Sequence, residues 1–337
     1  MTQPRTGGRF QPSLFDLVFL LWALVVPLGL SHRVLNNDGD LPRHLRLGEW
    51  MLSQGRVLTV DHFSYTLPGS PFLAFEWLSE VLLAGAHRGG GLAGVAVLTG
   101  LVLGLTYALV VRFLLRRGVE PLLAYLTSMA SALLGSLHWV ARPHLFTLLL
   151  VVVLLELLER REAPRPWWFA GLFALWANLH GGFTYGLILI AVYAGADLVD
   201  WRLRNGGAEA VRRARGRALA LVAAGAGALL NPHGPALYAH VIDFFGKPLI
   251  VDQTQEFMSP DFHVFAGKVF LAVILLLVAG LALDDRRPAT SHLLVLLANL
   301  AFSLHSARNI ELFGVTALPL MALHFDPAWR RDRKSVV

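Results

Sequence analysis

The sequence predicts an all-α, polytopic membrane protein of about ten transmembrane helices, with interfacial helices in its first outer loop. Three observations carry that prediction. Of 337 residues, 55% are hydrophobic and only 15% charged, with a mean hydropathy of +0.56, whereas soluble domains are roughly a quarter charged. The apolar residues gather in runs at 14–31, 91–111, 121–140, 144–158, 167–180, 182–199, 218–230, 266–283, 291–304 and 310–325. Lys and Arg, which give a net charge of +6, sit in the short connections between those runs. That distribution belongs to membrane topology, not to a nucleic-acid-binding face.

Along the chain, Phe15 to Leu30 lacks a small-residue cleavage site and reads as a signal anchor. A bilayer core of ~30 Å needs ~20 helical residues, so 167–180 and 218–230 are the weakest spans. An eleventh apolar stretch, Phe72 to Ala86, carries Glu76 and Glu80. Parity argues against its crossing. With 72–86 lying flat, the segments 1–12, 112–120, 159–166, 200–217, 284–290 and 326–337 share one side and hold 20 of the 29 Lys and Arg. Basic residues are retained on the cytoplasmic side. The chain is therefore expected to be one membrane domain, 1–337, in the plasma (inner) membrane with both termini cytoplasmic. The basic 200–217 connector is expected to touch anionic lipid headgroups, and Asp16 and Lys268 to snorkel. The absence of Cys excludes disulfides and thiolate metal sites.

The same topology gathers the remaining polar residues on the outer face. There fall the 32–90 loop, Arg142 to His144, Asn178 to Gly182, the 231–265 loop and His305 to Asn309. Ten of the 13 His residues lie on or near that face. The 32–90 loop is the centre of the candidate site. Leu41, Leu45, Gly48 and Leu52 share one helical face, so Leu41 to Gln54 reads as an interfacial helix ended by Gly55. Asp40 stands at its start, with Pro42 in the first turn, and reads equally as an N-cap and as a functional acid. Asp40 and His44 are four apart and so lie near one another. A carboxylate beside an imidazole suits a general base with its partner, or two ligands of a divalent ion such as Mg2+ or Mn2+, with Asp38 contributing. Asp61 reads as a turn residue or a supporting acid, and Glu76 with Trp77 as a cavity wall.

The ordered series Asp40/His44, Gly48-Glu49-Trp50, Asp61 to Thr66, Glu76-Trp77-Leu78, Ala141 to His144, Trp176 to Gly182, Asn231 to Gly234 and Ser306 to Asn309 resembles bacterial membrane proteins of the GT-C glycosyltransferase superfamily. The resemblance spans most of the chain. It implies a helical membrane enzyme that passes a sugar from a polyprenyl-phosphate carrier to a lipid, glycan or protein acceptor at the outer surface. Asp40 matches the acidic residue that such enzymes place in the first outer loop, acting as acceptor base or metal ligand. Two departures stand out: no sizeable soluble domain follows the last run, and Asp40-Leu41 replaces an Asp-Glu pair.

A phosphate-linked donor needs cations. Arg142 and Arg308 are the outer-face guanidiniums nearest the span ends, with His144 and Asn309 beside them. Each reads equally as a snorkelling arginine. Asn178 and His180 precede Gly181-Gly182 and fit sugar or diphosphate binding, or the capping of a helix end. His233 lies in a span-ending Asn-Pro-His-Gly break, and Glu256, Asp261 and His263 share the last long outer loop. Trp50, Trp77 and Trp176 suit packing of a polyprenyl chain or sugar face. The competing class is a transporter, or a lipid-handling or scaffold protein of the cell envelope. Ionisable groups crowding one surface rather than the midplane argue against transport. No H-E-x-x-H, G-x-S-x-G or G-x-G-D pattern supports an intramembrane protease.

Overall fold

The computed structural model describes residues 11–37, 39–160, 164–246 and 254–335. It is all-helical, 77% helix, with no strand among the described residues. The helices are α1 (Leu14–Gly29), α2 (Ser31–Asn36), α3 (Leu41–Gln54), α4 (Trp77–Arg116), α5 (Pro121–Gly135), α6 (His144–Leu158), α7 (Pro166–Leu179), α8 (Phe183–Leu203), α9 (Gly207–Ala228), α10 (Ala236–Phe245), α11 (Phe265–Leu283), α12 (Thr290–His305) and α13 (Ile310–Ser335). Three of them, α4, α8 and α11, are long and apolar enough to cross a membrane. Helices α1, α6 and α12 are apolar but shorter.

Local chemistry explains the helix ends that matter here. Ser13 and Asp16 form a reciprocal capping box at the start of α1. Asp16 is thus a capping residue, not merely a snorkelling one. Helix α3 carries Pro42 in its first turn and ends at Gly55 in the left-handed conformation, as its residues predict.

Helix α4 is broken at Gly90 and Gly91, the latter at φ +59°. Beyond the break the chain doubles back, because a Cβ on Gly94 would overlap the carbonyl of Ala86. In an unbroken helix those residues stand about 12 Å apart along the axis. The first arm of α4 therefore folds back against the start of the second at the break. The second arm lies along α1, where Gly104 brings its backbone close to Phe19 and Ala23.

Three expectations are corrected. Glu76 precedes the helix that carries Glu80, and residues 72–76 are not helical. The basic 200–217 connector is largely helical, since α8 runs to Leu203 and α9 starts at Gly207. The 231–265 connection holds a further helix, α10.

The core is aromatic and aliphatic. Tyr107, Phe113, Phe173, Trp176, Phe183, Tyr193, Phe270 and Phe313 are its large, fully buried members. The apolar surface continues outward: Leu275, Leu276 and Val278 of α11 are exposed by more than half. Apolar residues facing away from the core suit a helix set in lipid. The two ends of the bundle are polar. One carries α3, the start of α4 and the α5–α6, α7–α8 and α12–α13 turns. The other is built from arginine pairs, including Arg117 with Glu156 and Arg213 and Arg217 with Asp197.

Candidate functional site

The α3 end holds two neighbouring polar groups. The first begins at Asp40, whose backbone starts α3 but whose carboxylate makes no cap bond. It pairs instead with Arg142, just before α6. Arg142 also faces Glu256 at 3.5 Å, and Glu256 faces Arg308 at 3.8 Å and His138 at 3.2 Å. Arg308 stacks over Phe257, 4.5 Å from the ring centre, which fixes its fork. Four separate connections thus meet in an alternating row of acids and guanidiniums. Beside Arg142 lies a small apolar hollow of about 10 Å³, room for roughly one water, lined by Leu83, Leu98, Thr99, Val102, Leu145 and Phe146.

The second group is buried. His44, on the inward face of α3, puts Nδ1 3.2 Å from Glu80 Oε1. Gly48, one turn on, allows this: a Cβ there would overlap the Glu80 carbonyl, so only glycine lets α3 lie this close to α4. Glu76, just ahead of α4, faces His180 Nε2 at 3.4 Å. Burial, reinforced by Glu80 and opposed by Arg43 and Arg308, pushes the Glu76 carboxyl up to about 8. His180 is held from behind. Its Nδ1 lies 2.8 Å from the Thr147 hydroxyl, which accepts the Trp176 indole N–H at 2.9 Å.

The structure brings together seven of the residues read from sequence: Asp40, His44, Glu76, Arg142, His144, His180 and Arg308. Arg308, His44 and Arg142 all act electrostatically on the His180 ring. His144 faces Glu311 at 3.7 Å, and its Nε2–H donates to the His138 carbonyl at 3.1 Å. The pairing of Asp40 with His44 is not formed. Each turns to a different partner, Arg142 and Glu80, so the two do not share one cation. Asp38, the third member of that set, lies outside the described residues.

Other candidates serve the framework. Asp61 Oδ1 accepts the backbone N–H groups of Phe63 and Ser64, each at 2.8 Å, which closes a turn. Those bonds hold its carboxyl below the ordinary carboxylate range. Asn178 has its amide fully engaged. It accepts from the Trp77 indole at 2.6 Å and donates to the carbonyls of Ala174 and Leu230. His233 sits against the Ala74 backbone, and burial lowers its affinity for a proton.

Sequence reasoning left Glu80 and Glu311 out of the site and kept Glu256 at its edge. Glu80 carried a usable signal, since it lies one helical turn after Glu76 in an otherwise apolar stretch. Glu311 follows Arg308 by three residues, but nothing local points it at His144. No known protein family matches the chain, and neither a curated protein nor a solved structure does.

Proposed function

We propose that this chain is a GT-C-like glycosyltransferase of the plasma membrane, with about ten spans, its termini cytoplasmic and the α3 end facing outward. Its donor is a sugar on polyprenyl phosphate, and its acceptor a hydroxyl on a lipid, glycan or protein. One observation carries the reading: the Asp40 carboxylate pairs with the Arg142 guanidinium, with Arg308 joined to it through Glu256. A base and two phosphate-binding forks are what that reaction requires.

The step follows from those groups. Phosphate arriving at Arg142 takes the place of Asp40 on the guanidinium and frees the carboxylate. Asp40 accepts the proton of the acceptor hydroxyl as that oxygen bonds to the anomeric carbon. The bond from that carbon to the phosphate oxygen breaks, and its electron pair leaves on the phosphate, held by Arg142 and Arg308. His44 faces away toward Glu80 and takes no part in orienting Asp40.

The test is Asp40→Asn in proteoliposomes supplied with polyprenyl-phosphate sugars. Transfer is lost and membrane insertion is kept; unchanged turnover removes Asp40 from the mechanism. The second reading is lipid handling without chemistry, or a transporter or scaffold role, and it draws on the exposed apolar faces of the helices. Mass spectrometry of co-purified lipid separates the two: a polyprenyl-phosphate sugar supports transfer, and bulk phospholipid alone supports lipid handling.

A further inference from the structure

We infer that His44, Glu76 and Glu80 form a site for a borderline divalent cation, of which Zn2+ is the type, separate from the Asp40–Arg142 pair. One ligand atom from each of the three lies within 4.8 Å of the others. The residues are 2%, 8% and 3% exposed, so water is largely shut out. No Lys or Arg pairs with either carboxylate among the described residues.

An independent observation points to a ligand. Glu80 Oε1 meets His44, but Glu80 Oε2 is buried with no hydrogen-bond partner. A buried carboxylate oxygen without a donor is costly, and a cation bound between these three side chains satisfies it.

The surroundings are built to hold the ligands. The Thr147 hydroxyl accepts from Trp176, so its own proton goes to His180 Nδ1, which also accepts from the Gly182 N–H at 3.0 Å. His180 therefore carries its proton on Nε2, facing Glu76 Oε1. That is the outer hydrogen bond by which carboxylates are fixed for metal binding. His180 is a positioning residue here, not a ligand.

Ligand chemistry sets the ion. Mg2+ and Ca2+ prefer oxygen donors, and Mg2+ keeps several waters, which a buried site with an imidazole does not favour. One imidazole with two carboxylates suits Zn2+, and after it Mn2+. This inference does not rest on sugar transfer.

The experiment uses the full chain in lipid nanodiscs, stripped with a chelator and titrated with Zn2+. Metal analysis after desalting should find roughly one ion per chain, and the thermal midpoint should rise. Glu80→Gln and His44→Gln should each weaken retention by more than the roughly 10–100-fold that loss of an outer-shell partner costs, and Asp40→Asn should leave it unchanged. Zinc X-ray absorption of the wild-type protein needs no variant and should show a single imidazole among nitrogen and oxygen ligands. Absence of retained zinc in the wild type, wild-type retention in both ligand variants, or a spectrum with several imidazoles overturns the site. Because Asp40→Asn keeps its zinc, loss of transfer in that variant and loss of metal in the others are read separately.

Discussion

Asp40 occupies the N-cap position of α3, yet its carboxylate pairs with Arg142, 102 positions along the chain, and caps nothing. A residue placed by its own helix is thus held by another element. Arg142 is mostly buried at 19% side-chain exposure, and Asp40 is half exposed at 44%. Solvent screens part of the pair. Arg142→Ala should lower stability by only about 1–2 kcal/mol. Adding Asp40→Asn to Arg142→Ala should cost less than the sum of the single changes. Thermal unfolding of the two single variants and the double variant in one detergent measures this. Strict additivity would mean that the two side chains do not interact in the membrane-embedded protein.

Gly48 and Gly85 make a matched pair of tests. A Cβ on Gly48 overlaps the Glu80 carbonyl, whereas one on Gly85 meets nothing within 4 Å. Gly48→Ala should therefore cost about 1–3 kcal/mol as α3 is pushed off α4. Gly85→Ala, in a helical and open position, should be neutral or stabilising by up to about 1 kcal/mol. Thermal midpoints check both. Equal effects would show that the α3–α4 approach is not close-packed.

Much of this architecture was legible because its causes are local. The apolar run at 144–158 and helix α6 coincide, and Gly55 stops α3 where its left-handed conformation requires. The fold-back at Gly90 and Gly91 was hidden, since the residues around it are as apolar as a continuous span. In the basic segment, the runs of arginine masked the helical period of α9. The site divides in the same way. The gathering of His, Arg and acid at one end was expected from the spacing of the apolar runs, which places alternate connections on one face. Partner choice did not, because Glu80 and Glu256 are aimed by packing between distant elements. Asp40 and His44 share a helix face by spacing, and tertiary partners drew them apart.

Asp61 offers a pH test whose sign is fixed by its hydrogen bonds. Two backbone N–H groups stabilise its charged form and lower its affinity for a proton. A carboxyl depressed on folding adds stability that is complete above its unfolded value of 3.8 and is lost as pH falls through the lower folded value. The 61–64 turn should thus be ordered above pH 4 or so and loosen progressively as the pH falls further. Amide exchange at Phe63 and Ser64 reports it. Asp61→Asn keeps the accepting oxygen and should preserve both the turn and most of the sugar transfer, whereas Asp61→Ala should speed exchange at both amides. Loss of transfer in Asp61→Asn with the turn intact would restore Asp61 to the chemistry.

Arg308 tests whether the guanidinium fork, rather than charge alone, holds the donor. Its guanidinium carbon lies over the Phe257 ring, and one of its terminal nitrogens faces Glu256, which also faces Arg142. Lysine would keep the charge but lose both the stacking and the two-pronged geometry that matches phosphate oxygens. Arg308→Lys should therefore raise KM for the polyprenyl-phosphate donor by roughly 10-fold, the loss expected for one good charged hydrogen bond. KM for the acceptor should stay unchanged, since no acceptor contact is assigned to this residue. If Arg308 only anchors the α12–α13 turn, both constants should move together with the thermal midpoint. A donor-selective rise at an unchanged midpoint therefore singles out phosphate recognition, and an equal loss in both would reduce Arg308 to a structural cation.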